Sequence, residues 1–345
     1  MKKGLKQTLR AIIFLAMALL LLWLSFRDIA FRELWATLRK ADYLWLLPAA
    51  VMTLLSFFIR AHRWNLLIEP LGHKGRLINV YHAVATGYLA NLIFPRLGEV
   101  TKCAVLSERE KIPFDRLVGT MLVERTVDVL TVVALIALTL IAGSTTTGSF
   151  LSESVFAPLS AKLSSSALSV TLIALLLLAI TILVAVLYFT LRKKLSDKPF
   201  FKKLYQFSDG IIDGLKSIAK LRRRWEFILY TLLLWVVYLL MTYFPLLCLH
   251  STAGLGMNGA LFVLVVGSLG MAAPVQSGLG AFHWIVSRGL LVAYGIPLQE
   301  GLAFATLSHE SQLVFIALLG AISFFALFGR RRGKILPSTI IDKAS

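Results

Sequence analysis

The chain is poor in charge, in acid and in cysteine. Of its 345 residues 16% are charged and 58% hydrophobic, whereas soluble domains are about 25% charged and about 45–50% apolar. An ordinary soluble domain is thereby excluded, because so apolar a chain needs hydrocarbon as the solvent for several of its faces. Cysteine is limited to Cys103 and Cys248, far apart and without ligand-like spacing, so neither a disulfide framework nor a zinc module is expected. Acid is scarce beside base: 18 Asp and Glu face 36 Lys and Arg, a formal net charge of +18. Such a balance suits nucleic acid, but the basic residues sit in short blocks between long apolar runs, and no nucleic-acid partner is expected. Enzyme signatures are also missing. There is no Asp-x-Asp pair, no Gly-x-Ser-x-Gly elbow and no Walker or Rossmann glycine pattern. The longest polar loop, residues 191–225, is too short for a soluble catalytic domain. We therefore expect no enzyme activity, no cofactor and no metal.

What is present is a series of apolar runs. A spanning helix takes about 20 apolar residues, and residues 9–26, 44–60, 117–142, 168–190, 226–249 and 301–328 qualify. The expected fold is an all-α, polytopic membrane bundle of six full spans in one domain, with residues 9–328 as its core. The first run follows Lys2, Lys3, Lys6 and Arg10, and Ser25-Phe26-Arg27-Asp28 offers no cleavage site, which predicts a retained anchor. Twenty-nine of the 36 basic residues fall on segments that one alternating topology places inside, so both termini, the loop 191–225 and the tail 329–345 are expected in the cytoplasm of a bacterial inner membrane. The basic loop would rest on anionic lipid. Phe31, Leu34, Trp35 and Leu38 share a helical face, which predicts an interfacial helix.

Two further apolar stretches, 78–106 and 259–294, are broken by Gly and Pro. Each has both flanks on one side and must cross an even number of times, so each is read as a re-entrant hairpin, the second alternatively as two short spans. The tips are Asn91-Leu92-Ile93-Phe94-Pro95-Arg96-Leu97-Gly98-Glu99 and Pro274-Val275-Gln276-Ser277-Gly278-Leu279-Gly280. Proline stops a helix and glycine permits the turn, and the amides of the restarting helix attract anions. Hairpins entering from opposite faces point to an inverted repeat with a site between them.

Ionisable residues inside apolar runs are the strongest functional signal, since each costs at least ~2.5–3.5 kcal/mol at the helix centre. Glu124, Arg125 and Asp128 share a span, with Glu124 and Asp128 on one face. One more cation is needed to neutralise them, and Arg96 is the candidate. His283, Arg288, His309, Glu310 and Gln312 form a second polar group near the other break.

The motif Asn91 to Glu99, the Glu124-Arg125-x-x-Asp128 span and Pro274 to Gly280 together resemble the transmembrane domain of the lysylphosphatidylglycerol synthase/flippase family, over residues 10–328. The resemblance implies a polytopic domain that moves lipid between leaflets, without the aminoacyl-transferase domain of bifunctional members. The second motif departs from the family's P-x-P-G-G-x-G-x-x-E: Gln276 and Ser277 replace Pro and Gly, and His283 stands where an acid is often found.

The leading expectation is translocation of a lipid with an anionic or zwitterionic headgroup. Arg96 and the free amides of the Pro/Gly turns would hold phosphate, with Asn91, Pro95, Gly98, Pro274, Gly278 and Gly280 forming those turns. Glu99, Glu124, Arg125 and Asp128 would balance charge or hold an amine, and His283, His309 and Gln312 would line the path, the two histidines as gates or proton relays. A membrane-embedded enzyme or assembly factor for lipid-linked glycans, and a small-solute or ion transporter, are the alternatives.

Overall fold

The computed structural model describes residues 20, 22–26, 31–93, 97–141, 221–272 and 275–328, and among them every element is helical. A short amphipathic helix, α1 (Phe31–Arg39), is followed by α2 (Leu46–Ile68), α3 (Leu77–Ile93), α4 (Leu97–Glu110) and α5 (Phe114–Ile141). After the undescribed residues 142–220 come α6 (Arg224–Leu246), a single turn at His250–Ala253, α7 (Gly256–Met271), α8 (Ala281–Tyr294) and α9 (Leu298–Phe328).

Two successive quartets share one plan. Helices α2 to α5 have 23, 17, 14 and 28 residues, and α6 to α9 have 23, 16, 14 and 31. The same device starts the long fourth helix each time. A residue in the left-handed region, Lys111 (φ 57°) or Gly295 (φ 66°), ends the preceding segment. A buried Ile follows, Ile112 or Ile296, and then a proline. Pro113 and Pro297 lack an amide but supply the carbonyls that accept from Leu117 and Gly301 at 3.2 and 2.9 Å, the placement that proline tolerates at a helix start. The first helices of the two quartets pack on each other.

In each quartet the two short helices form an antiparallel hairpin. Gly87 and Gly98 let α3 and α4 touch backbone to backbone, since a Cβ on Gly98 would lie 2.2 Å from the Gly87 carbonyl oxygen. In the other hairpin Gly267 and Gly270 of α7 receive Phe282 of α8. Helix α9 joins the halves. Its first part packs with Phe262, Val266, Phe282 and Val286, and its later residues Ile316 and Leu327 pack with Phe57, Val84 and Leu106. Gly301 seats it on Ser287 of α8 and Gly320 on Ala85 and Leu89 of α3.

Among the described residues three segments are long and apolar enough to cross a membrane: Tyr43–Leu71, Arg224–Leu246 and Leu298–Phe328. Helix α5 has the length as well, but carries Glu124, Arg125 and Asp128 together. The expected span 168–190, residues 9–19 and 21 of the expected span 9–26, residues 142–167 and 191–220 and the tail 329–345 lie outside the described residues. One boundary needs correcting. The run expected to end at Arg60 continues as helix to Ile68, so Arg60 and Arg63, two of the 29 basic residues expected on cytoplasmic segments, are 6% and 0% exposed. They stay inside because their charges are neutralised there.

Candidate functional site

Three helices bring their charges to one place, and a fourth adds a hydroxyl. Arg60 and Arg63, three apart on α2, face Glu124 and Asp128, four apart on α5. Glu124 Oε1 accepts from Arg60 Nη1 at 2.9 Å and from Arg63 Nη2 at 3.2 Å, and its Oε2 accepts from Lys102 Nζ of α4 at 2.5 Å. Asp128 meets Arg63 Nη2 at 2.7 Å and Arg60 Nη1 at 3.4 Å. Arg60 Nε also donates to the Tyr238 hydroxyl of α6 at 2.5 Å. Around these pairs stand aromatic faces: Lys102 lies 4.5 Å from the Trp64 ring centroid, and Arg60 5.6 and 5.4 Å from those of Tyr88 and Tyr238. Trp64 is itself fixed by its indole N–H donating to Thr120 Oγ1 at 2.9 Å. Buried charges persist only when paired and hydrogen-bonded in this way.

A small cleft opens beside the cluster, lined among others by Arg60, Tyr88, Asn91, Gly98, Glu99 and Arg125. Arg125 differs from the other cations. Its side chain is 38% exposed, and its nearest carboxylates, Glu99 and Asp128, are each 3.9 Å away. In all, Arg60, Arg63, Lys102 and Arg125 face Glu99, Glu124 and Asp128, four cations against three carboxylates.

The structure thus groups six of the residues singled out from sequence, Asn91, Gly98, Glu99, Glu124, Arg125 and Asp128, and Asn91 Oδ1 accepts from the Gly98 amide at 2.6 Å. That bond occupies one of the amides assigned above to phosphate. Pro95, Arg96 and Pro274 lie outside the described residues. Sequence reasoning missed Arg60, Arg63 and Lys102. A signal was there: Arg60 and Arg63 continue the apolar run at helical spacing together with Trp64, and Lys102 stands three residues after Glu99.

The second hairpin tip is built differently. Gln276 Nε2 donates to the Leu92 carbonyl, and also to that of Ile93 at 3.2 Å, while Ser277 Oγ donates to the Asn91 carbonyl at 3.3 Å. The residues that depart from the usual motif therefore cap the carbonyl end of α3, where a helix leaves acceptors without partners. Gly278 (φ 73°) and Gly280 (φ 79°) turn the chain into α8, and the Gly280 carbonyl accepts from Ser25 Oγ at 3.2 Å. These residues do not line the charged cleft. His283 and His309 meet there with ring centroids 5.0 Å apart and Glu310 beside both. Gln312 is separated from them. It lines a small recess with Thr53, Pro245 and Ser308.

Comparison with known proteins agrees with this architecture. No solved structure matches the chain. The protein named Glycosyltransferase AglD of Haloferax volcanii is 27% identical over 135 residues, 39% of this chain. That match spans 21% of the curated relative's length. The model of the lysylphosphatidylglycerol synthase TM region covers residues 10–320. The chain belongs to that family of membrane proteins.

Proposed function

We propose that this protein is a transporter rather than an enzyme, moving a lipid with an anionic or zwitterionic headgroup between the leaflets of a bacterial inner membrane. The observation that carries the reading is the cleft at the first hairpin, where a cluster of tightly paired charges ends in one guanidinium, Arg125, that is 38% exposed and has its nearest carboxylates 3.9 Å away. A phosphate oxygen offers the charge-assisted acceptor that such a group lacks. Acyl chains would stay in lipid while the headgroup enters between α3, α4 and α5. Arg96 lies in sequence between the helices that line the cleft and would add a second phosphate contact.

The hairpin arms have 17, 14, 16 and 14 residues, short of the roughly 20 that a crossing takes. They support re-entrant hairpins that enter from opposite faces, the first from the cytoplasm. With six crossings both termini are cytoplasmic, and the basic loop 191–225 lies against anionic lipid. The match to a protein named as a glycosyltransferase favours one variant of this reading, in which the headgroup is a lipid-linked glycan.

Mass spectrometry of lipids that co-purify with the protein tests the proposal. One anionic phospholipid or glycolipid should be enriched over bulk membrane, and the enrichment should disappear in Arg125→Gln. Bound lipid of bulk composition in both proteins contradicts it.

A further inference from the structure

The group at the second hairpin has a feature that the charged cleft lacks. Its carboxylate, Glu310, is approached among the described residues by imidazoles alone: His309 Nδ1 lies 3.2 Å and His283 Nε2 3.5 Å from Glu310 Oε1. In the first quartet, by contrast, the buried carboxylate Glu124 is held by Lys102 and two arginines, cations that keep their charge.

The hydrogen bonds fix what His309 presents. Its Nε2 is 2.9 Å from the Ser277 carbonyl oxygen, which only accepts, so Nε2 carries the proton. A neutral imidazole then turns a lone pair at Nδ1 toward a carboxylate oxygen. Two acceptors 3.2 Å apart repel unless a positive species lies between them. The Ser277 carbonyl is set by a backbone held at φ 48°, an uncommon conformation for a residue other than glycine. Phe282 stacks on the His309 ring at 5.3 Å and Phe26 lies 6.2 Å from His283. Both rings are therefore held in place, 1% and 2% exposed.

We propose that His283, His309 and Glu310 bind a divalent transition-metal ion of the zinc type. Their ligand atoms all lie within 4.8 Å of one another. Bonds of about 2.0–2.1 Å in tetrahedral geometry put neighbouring ligand atoms about 3.3–3.4 Å apart; the two histidine–carboxylate separations, 3.2 and 3.5 Å, bracket that edge, while the two imidazole nitrogens, bounded by 4.8 Å, would draw together on the ion. A metal-bound histidine usually donates its other ring N–H to a carbonyl or carboxylate, as His309 does to Ser277. Imidazole with one carboxylate suits zinc better than calcium or magnesium, which prefer oxygen alone. Two histidines and one glutamate fill three positions and leave a fourth for an exchangeable ligand. Glu310, 46% exposed at its side chain, lies on the open side.

The test uses full-length protein carried on a tag without histidine, with Cys103 and Cys248 replaced by Ala so that no thiol competes. After chelator treatment, Zn²⁺ is added and bound metal is counted by elemental analysis, and Co²⁺ is added in parallel as a spectroscopic probe. The expected result is one equivalent of Zn²⁺ per chain and the intense visible absorption of tetrahedral Co²⁺. Glu310→Gln and His283→Gln should each weaken Zn²⁺ binding at least about tenfold while gel filtration and thermal unfolding stay as in the parent. Zn²⁺ bound far below one equivalent by the folded parent overturns the proposal, as does equal binding by either folded variant. Neither readout depends on lipid movement.

Discussion

Glu124 is the most deeply buried carboxylate of the charged cluster. It accepts from Arg60, Arg63 and Lys102 and is 1% exposed. Removing one partner of a buried ion pair costs about 3–5 kcal/mol, because the remaining charge stays buried without compensation. Glu124→Gln is therefore expected to lower stability by an amount in that range, measured by denaturant unfolding in detergent, and Lys102→Met in the same chain should restore part of the loss. Arg125 behaves oppositely. Its side chain is 38% exposed and its ion pairs are long, so Arg125→Gln should shift the unfolding midpoint little while weakening lipid binding at least about tenfold, the loss expected of one charge-assisted contact. The contrast separates residues that hold the cleft together from the one that faces it. Sequence alone exposed the acidic half of this cluster, because Glu124 and Asp128 stand in an otherwise apolar run. Its basic half stayed hidden because Arg60 and Arg63 follow an apolar stretch, where a basic residue reads as a flank.

At the scale of elements, the two hairpins were legible from Gly and Pro, and their glycines act by close approach as well as by turning. A methyl group on Gly98 would collide with the Gly87 carbonyl and with Asn91. Overpacking of this kind costs about 1–3 kcal/mol, so Gly98→Ala should destabilise by that amount and should also disturb the cleft that the residue lines. Gln276→Ala tests the contact between hairpins. It leaves the Leu92 and Ile93 carbonyls without their side-chain donor, and a loss of about 1–3 kcal/mol is expected from unfolding curves. The cap was not legible, since Gln276 and Ser277 stood out only as departures from a familiar motif. Their partners lie 184 and 186 residues away. The left-handed residue, Ile and Pro before α5 and α9 were legible but short, and their meaning emerges only when the helix lengths are set beside them.

Across the whole molecule the repeat explains where the site falls. Arg60 and Tyr238 are each the fifteenth residue of a 23-residue first helix, and they bond to each other at 2.5 Å. The contact thus joins equivalent positions of the two halves. The halves have since diverged in chemistry: permanent cations surround Glu124, and imidazoles flank Glu310. The packing is unequal too, with α9 lying along α3 far more extensively than α5 along α7. The all-helical membrane class follows from composition, whereas the join between halves depends on residues far apart in the chain, and no local pattern encodes it. The central claim is that the Arg125 cleft carries a lipid headgroup across the membrane. Proteoliposomes with a fluorescent anionic phospholipid, assayed by chemical quenching of the outer leaflet, test it most directly. Wild-type protein should expose the inner-leaflet probe faster than protein-free vesicles do, and Arg125→Gln, equally folded and reconstituted, should abolish most of that gain. Equal rates for wild type and variant, or no rate above protein-free vesicles, would contradict the account.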